Sequence, residues 1–78
     1  MRFKELAPVV LKRDHPEAGL RAGDLGTVVA VYERTKGLEV EFFRASGKTR
    51  AVVTLSAHDV RKAQDSEIVA VRSARRSA

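Results

Sequence analysis

The sequence predicts an all-β fold, a small barrel of five antiparallel strands. Apolar or alternating runs recur at intervals of about 8–12 residues with turn-forming residues between them, which is typical of small barrels and sandwiches. The most informative stretch is 20–32, LRAGDLGTVVAVY, in which a turn precedes a β-branched run. Gly23 tolerates a positive φ, and the Asp24 side chain can bond its own backbone two residues on.

Composition limits the chain to one small domain. A chain of 78 residues buries about 60% of its unfolded surface, which leaves no room for a large catalytic cavity. The absence of cysteine excludes disulfides and thiolate metal sites and fits a reducing compartment. No apolar run reaches the roughly 18–20 residues of a membrane span, and Lys4 and Glu5 fall where a signal peptide is apolar. We therefore expect a cytoplasmic protein.

The positive charge of the chain suggests binding to nucleic acid, but the distribution of that charge makes the interpretation weaker. The net charge is +5 and the pI is about 10.2. Residues 1–62 hold 12 Lys and Arg against 8 Asp and Glu, and residues 63–78 hold 3 against 2. Acids are therefore interleaved with bases, and the local basic block is Arg72, Arg75 and Arg76 in the tail.

Turn residues and strand patterns divide the chain. A helical turn over 2–6 should end before Pro8, and Gly37 is the expected positive-φ residue of the 33–37 turn. Ser56 should cap a 3₁₀ turn over 56–59. The predicted strands are 9–11, 26–32, 38–43, 49–55 and 60–62. The residues expected to be buried are Val9, Leu11, Val29, Val31, Leu38, Val40, Phe42, Val53 and Leu55.

The chain divides into a barrel over 1–63 and a basic C-terminal tail over 64–78. Within the tail, 67–72 (EIVAVR) has strand character, and 63–66 is expected to be a linker. We expect 67–72 to form an extra strand on its own barrel or on a second copy, because exposed sheet edges recruit strands. The second case would make a homodimer.

Four segments in order carry a family resemblance. They are residues 6–11, residues 19–29, residues 39–42, and residues 53–55 with 59–61. Residues 3–62 thereby resemble a small bacterial family known as domain of unknown function 4926, which implies an SH3-like barrel. The long 12–24 loop lies where SH3-like barrels carry one between their first two strands. The resemblance implies no activity or site residues; such proteins look like partners of neighbouring gene products, as immunity or antitoxin-like modules. Residues 23–31 are also similar to the KOW element, which binds RNA or protein.

No residue cluster predicts catalysis, a metal or a cofactor. His15 and His58 each have one acidic chain neighbour, and adjacent residues seldom converge on one ion. Ser56, His58 and Asp59 could spell a triad, but no oxyanion loop surrounds them. The 23–26 turn lacks the ending of a phosphate loop. Glu39 and Glu41 share a strand face and should pair across to Lys48 or Arg50.

Two functions stay open for a non-enzymatic module. One is binding of a protein partner; the other is KOW-like binding of nucleic acid, which would use aromatics amid basic residues. The candidate surface consists of Tyr32, Arg34, Lys36, Phe43, Arg44, Lys48 and Arg50. The nucleic-acid function requires its cations to share one surface.

Overall fold

The chain folds into an antiparallel sheet whose first and last strands are neighbours. The computed structural model describes residues 2–43 and 50–68. Across the sheet the order is β4-β3-β2-β1-β5, so β4 and β5 form the two edges of the described sheet. The predicted all-β fold with five antiparallel strands is confirmed. The strands are β1 (Pro8–Leu11), β2 (Leu25–Tyr32), β3 (Gly37–Phe43), β4 (Arg50–Ser56) and β5 (Val60–Lys62).

Two 3₁₀ turns occupy connections between the described strands. The first, Pro16–Ala18, lies inside the long loop between β1 and β2, and the second, Ala57–Asp59, joins β4 to β5. The predicted 3₁₀ turn after β4 is confirmed, with Ser56 as its cap. The first turn was not predicted.

The core lies on one face of the sheet, where period-2 alternation places one apolar side chain in two. Most of the predicted core is confirmed: Val31 and Val53 are half-buried against the cluster, and Phe3 and Leu20 join it from outside the strands. The buried strand residues of this cluster are Val9, Leu11, Val28, Leu38, Val40, Phe42, Leu55 and Val60.

The prediction that Val29 is buried is wrong. Val28 pairs with Val40 and Ala30 pairs with Glu39, so Val29 is the extra residue of a β-bulge. The bulge shifts the alternation by one position. Val28 is therefore fully buried, Val29 is 38% exposed, and Val31 faces the core again.

Backbone contacts also revise three local predictions. The left-handed residue of the 33–37 turn is Lys36 (φ 56°), because Gly37 is extended in β3 and pairs with both Tyr32 and Ser56. Residues 2–6 form no helical turn, since the Leu6 N–H donates to the Val28 carbonyl (2.7 Å) and continues the sheet. Asp24 accepts from the Arg21 N–H (2.9 Å) instead of from its own backbone two residues on.

The last described residues of the chain are helical. Residues 65–68 form a helical turn in which the amides of Glu67 and Ile68 donate to the Gln64 carbonyl (3.0 and 3.3 Å). The predicted extra strand over 67–72 is therefore wrong at residues 67 and 68, and the predicted linker over 63–66 runs into this turn. Residues 69–72 lie outside the described residues.

Candidate binding groove

A basic groove of about 910 Å³ lies beside β5. Six of its residues carry basic side chains and one, Glu33, is acidic. Phe3, Ala57 and Val60 supply apolar surface. The basic residues are Arg2, Lys12, Lys36, His58, Arg61 and Lys62.

Long-range hydrogen bonds bring these basic residues together. The Lys12 N–H donates to the Asp59 carbonyl (2.8 Å), which ties the end of β1 to the second 3₁₀ turn. The Ala57 N–H donates to the Lys36 carbonyl (2.9 Å), which ties the β2–β3 turn to the same place. Arg61 and Lys62 follow on β5. The second 3₁₀ turn is thus the point at which three separate segments meet.

The described lining of the groove holds more basic than acidic side chains. Lys12, Lys36 and Lys62, the groove lysines, have exposed side chains. The ion pairs of the described residues include Arg13–Asp59 (3.9 Å), His15–Glu17 (3.4 Å) and Arg61–Glu67 (2.8 Å), and none in residues 2–43 or 50–68 involves a groove lysine. Within the described residues, an anionic ligand would therefore meet ammonium groups that are not in ion pairs.

Arg61 is neutralised by a partner outside the groove lining. Its two Nη atoms donate to the two carboxylate oxygens of Glu67 (2.9 and 2.8 Å). This bond, reinforced by the Gln64 N–H (2.8 Å), lowers the pKa of Glu67 from 4.5 to about 2. The same pairing raises the pKa of Arg61. The charge of the groove therefore depends on the lysines and Arg2 more than on Arg61.

Of the residues of the predicted surface whose side chains are described, one lines the groove and two lie outside it. Lys36 lines the groove, whereas Tyr32 and Arg34 are exposed and do not line it. A hydrogen bond to the Glu39 carboxylate raises the pKa of Tyr32. Arg44 and Lys48 lie outside the described residues, as do the side chains of Phe43 and Arg50. That the candidate cations share one surface therefore stays a prediction.

The two glutamates of β3 face uncharged residues across the sheet. Glu39 lies opposite Thr54 and Glu41 lies opposite Val52 in β4. The described side-chain partner of Glu39 is the Tyr32 hydroxyl. Their predicted partners, Lys48 and the Arg50 side chain, lie outside the described part of the chain.

The Ser56 and Asp59 side chains make a capping box with backbone N–H groups, and the His58 side chain takes no part in it. The Ser56 Oγ accepts from the His58 N–H (3.2 Å), and the Asp59 Oδ2 accepts from the Ser56 N–H (3.4 Å). The hydroxyl therefore satisfies a backbone donor, as a helix cap does. Among the described residues no three His, Cys, Asp or Glu side chains are grouped so as to hold a metal ion.

Sequence reasoning found Lys36 and missed the other basic groove residues. Lys12 directly follows β1, and Arg61 and Lys62 lie on β5. These residues become neighbours only because β1 and β5 pair. Their position at the ends of the first and last strands was the available signal.

The fold and the groove define a small all-β domain with a basic cleft at one sheet edge. The chain matches the family described as domain of unknown function (DUF4926) over residues 5–62, well over half of its length, and it belongs to that family. The match includes the groove lysines. No curated protein and no solved structure matches the chain. No helix in the described part of the chain has the length and apolar character needed to cross a membrane.

Proposed function

We propose that this domain is a non-enzymatic binding module whose basic groove takes an acidic segment of a partner protein. The observation that carries the proposal is the set of exposed groove lysines, none of which forms an ion pair within the described residues. Complementary charge speeds encounter and excludes wrong partners. The immunity or antitoxin-like role suggested by the resemblance would be one form of this function.

The groove lining favours a protein segment over nucleic acid. Single-stranded nucleic acid is usually bound by exposed aromatic rings amid cations. The aromatic residue of the lining is Phe3, which is only 6% exposed and packs in the core. Tyr32 is exposed, but it does not line the groove. The half-buried Ala57 instead offers a small apolar surface that suits a peptide.

Charge reversal in the groove tests the proposal. Fluorescence anisotropy with a labelled acidic peptide would compare Lys12→Glu, Lys36→Glu and Lys62→Glu with the wild type. Each reversal should weaken binding by about three- to tenfold, because one exposed attraction becomes a repulsion. Added salt should weaken binding as well.

The matched control is Arg21→Glu, which changes the same charge at an exposed site outside the lining. Its affinity should stay close to that of the wild type. Equal losses for Arg21→Glu and the three lysine variants would mean that only net charge matters. Copurification of an acidic protein that the lysine variants fail to retain would then identify the partner.

Nucleic acid is a second candidate, favoured by the exposed Arg34 and Lys36 in one turn and by the net charge of +5. Binding should fall steeply with salt, because each phosphate contact releases counterions. Replacing Arg34 and Lys36 by alanine should reduce the salt slope by about two. No binding to mixed DNA and RNA at about 50 mM salt would exclude this function.

A further inference from the structure

The outer edge of β5 lies inside the basic groove. β5 ends the strand order, so no other described strand pairs beyond it. All three of its residues line the groove. Since neighbouring side chains on a strand point to opposite faces, a cleft lined by all three residues reaches the strand edge as well as one face.

Hydrogen bonds on either side of β5 show which of its backbone groups face that edge. The Lys12 N–H donates to the Asp59 carbonyl (2.8 Å), and the Ala63 N–H donates to the Pro8 carbonyl (3.0 Å). In an antiparallel pair the hydrogen-bonded positions alternate. The bonded pair between these two is therefore Val10 with Arg61, which are opposite in the register. It follows that Val60 and Lys62 direct their N–H and C=O groups away from β1.

Three of these four outward groups, all except the Lys62 carbonyl, have no hydrogen-bond partner within residues 2–43 or 50–68. The Lys62 carbonyl receives a hydrogen bond from its neighbour, the Arg61 Nη1 (3.3 Å). No strand in residues 2–43 or 50–68 pairs with the outward groups of Val60 or Lys62. An unpaired edge of this kind is a template for an incoming strand.

We propose that the partner segment binds as an extended β-strand on the outer edge of β5. Its backbone pairs with Val60 and Lys62, and its acidic side chains lie among the groove lysines. Strand addition draws affinity from main-chain hydrogen bonds and specificity from side chains. This inference rests on the proposed function, and adds to it the conformation of the ligand and the backbone groups that hold it.

The described charges near the two sheet edges differ in sign. Since the Ala57 N–H bonds the Lys36 carbonyl, the same alternation makes Val52 and Thr54 the outward residues of β4. Directly across from them on β3 are Glu41 and Glu39. Among the described side chains, those nearest the β4 edge thus include two carboxylates, whereas those nearest the β5 edge include the groove lysines.

The probe is a labelled synthetic peptide of alternating glutamate and valine, measured by fluorescence anisotropy against the full chain. Two further versions of the peptide carry N-methyl groups on alternate residues. The methyl groups line one edge of the peptide in the first version and the opposite edge in the second. Methylation removes backbone donors and leaves the charge intact. One of the two methylated peptides should lose about tenfold or more in affinity, since several main-chain bonds of about 1 kcal/mol each are lost.

Variants at the two edges provide a matched comparison. Lys62→Pro removes an outward N–H without removing a bond to β1, and Lys62→Gln removes the same charge while keeping the N–H. Lys62→Pro should bind about fivefold more weakly than Lys62→Gln. Thr54→Pro does the same at the β4 edge and should leave affinity unchanged. Amide exchange at Val60 and Lys62 should slow when the peptide binds.

The outcomes separate this inference from the proposed function. If every methylated peptide binds as well as the parent, the groove recognises charge alone and strand addition is wrong. If no acidic peptide binds, the proposed function itself fails, and binding of an oligonucleotide instead would overturn both. If Lys62→Pro does not fold, the methylated peptides and the wild-type amide exchange still decide the matter.

Discussion

Gly26 has less room for a side chain than Gly23 or Gly37. A Cβ at this position would lie 2.7 Å from a Val40 methyl carbon and 2.8 Å from the Phe42 ring. Phe42 is fully buried and sits directly opposite Gly26 in the β2–β3 register. The missing side chain is what allows the ring to lie against the strand, as is common for glycine within strands.

Gly26→Ala should therefore destabilise the protein by about 1–3 kcal/mol, because the added methyl group would overpack the Val40 and Phe42 side chains. Urea denaturation followed by circular dichroism measures the change in the free energy of unfolding. Thr27→Ala, at the half-buried neighbour, is the control and should cost less. An unchanged midpoint for Gly26→Ala would contradict the packing described here.

Among the elements, the second 3₁₀ turn is three residues long and contacts two distant segments of the chain. It accepts a bond from Lys12, donates one to Lys36, and redirects the chain from β4 into β5. Its own end is satisfied by Ser56 and Asp59 in a capping box. The cap therefore helps to set the position of the groove lysines as well as the turn.

Ser56→Ala should lower the free energy of unfolding by about 0.5–2 kcal/mol, the usual cost of losing a cap. Thr54→Ala, an exposed residue of the same strand, is the matched control with a smaller expected effect. Chemical denaturation of both variants tests this. Equal stability of Ser56→Ala and the wild type would mean that water replaces the cap at no cost.

The helical turn at 65–68 is held to β5 by the Arg61–Glu67 pair, and this contact is pH-dependent. Glu67 has a pKa of about 2 when folded, against an ordinary 4.5. As the pH falls, the unfolded carboxylate takes up its proton first. The stabilisation is therefore complete above about pH 4.5, and is lost as the pH falls towards about 2.

Carboxyl-detected NMR titration should accordingly give Glu67 a pKa well below its ordinary value. In Arg61→Gln the pKa should rise towards that value, while the bond from the Gln64 N–H keeps it somewhat depressed. An ordinary Glu67 pKa in the wild type would show that the ion pair does not persist in solution.

For the molecule as a whole, all five described strands precede the C-terminal tail. β5 ends at Lys62, and the Ala63 N–H closes the β1–β5 ladder on the Pro8 carbonyl. The family match likewise ends at residue 62. The tail adds the Arg61–Glu67 pair to this unit from outside.

Deleting residues 64–78 should leave a sheet that unfolds cooperatively, with a modestly lower midpoint because the pair with Arg61 is lost. Circular dichroism during thermal unfolding measures this. Light scattering of both forms tests the predicted homodimer. If the tail forms the dimer, the molar mass should fall by more than the mass of the deleted residues. Loss of cooperative unfolding would instead make residues 64–78 part of the folded domain.

Local sequence patterns were sufficient to predict the strands, the Gly23 turn and the Ser56 cap. Alternation, turn residues and capping act over a few neighbouring residues, so they can be recognised without knowing the fold. They yielded five antiparallel strands and most of the core. They also yielded Lys36 as one residue of the candidate site.

Contacts between distant segments decided the rest. The bulge at Val29 depends on how β2 meets β3, and the left-handed Lys36 depends on the bond from Ala57. The helical turn at 65–68 is held to β5 by the pair between Glu67 and Arg61. The basic groove exists because β1 and β5, at opposite ends of the domain's sequence, lie side by side. Such pairings depend on the packing of the whole sheet, and no local pattern records them.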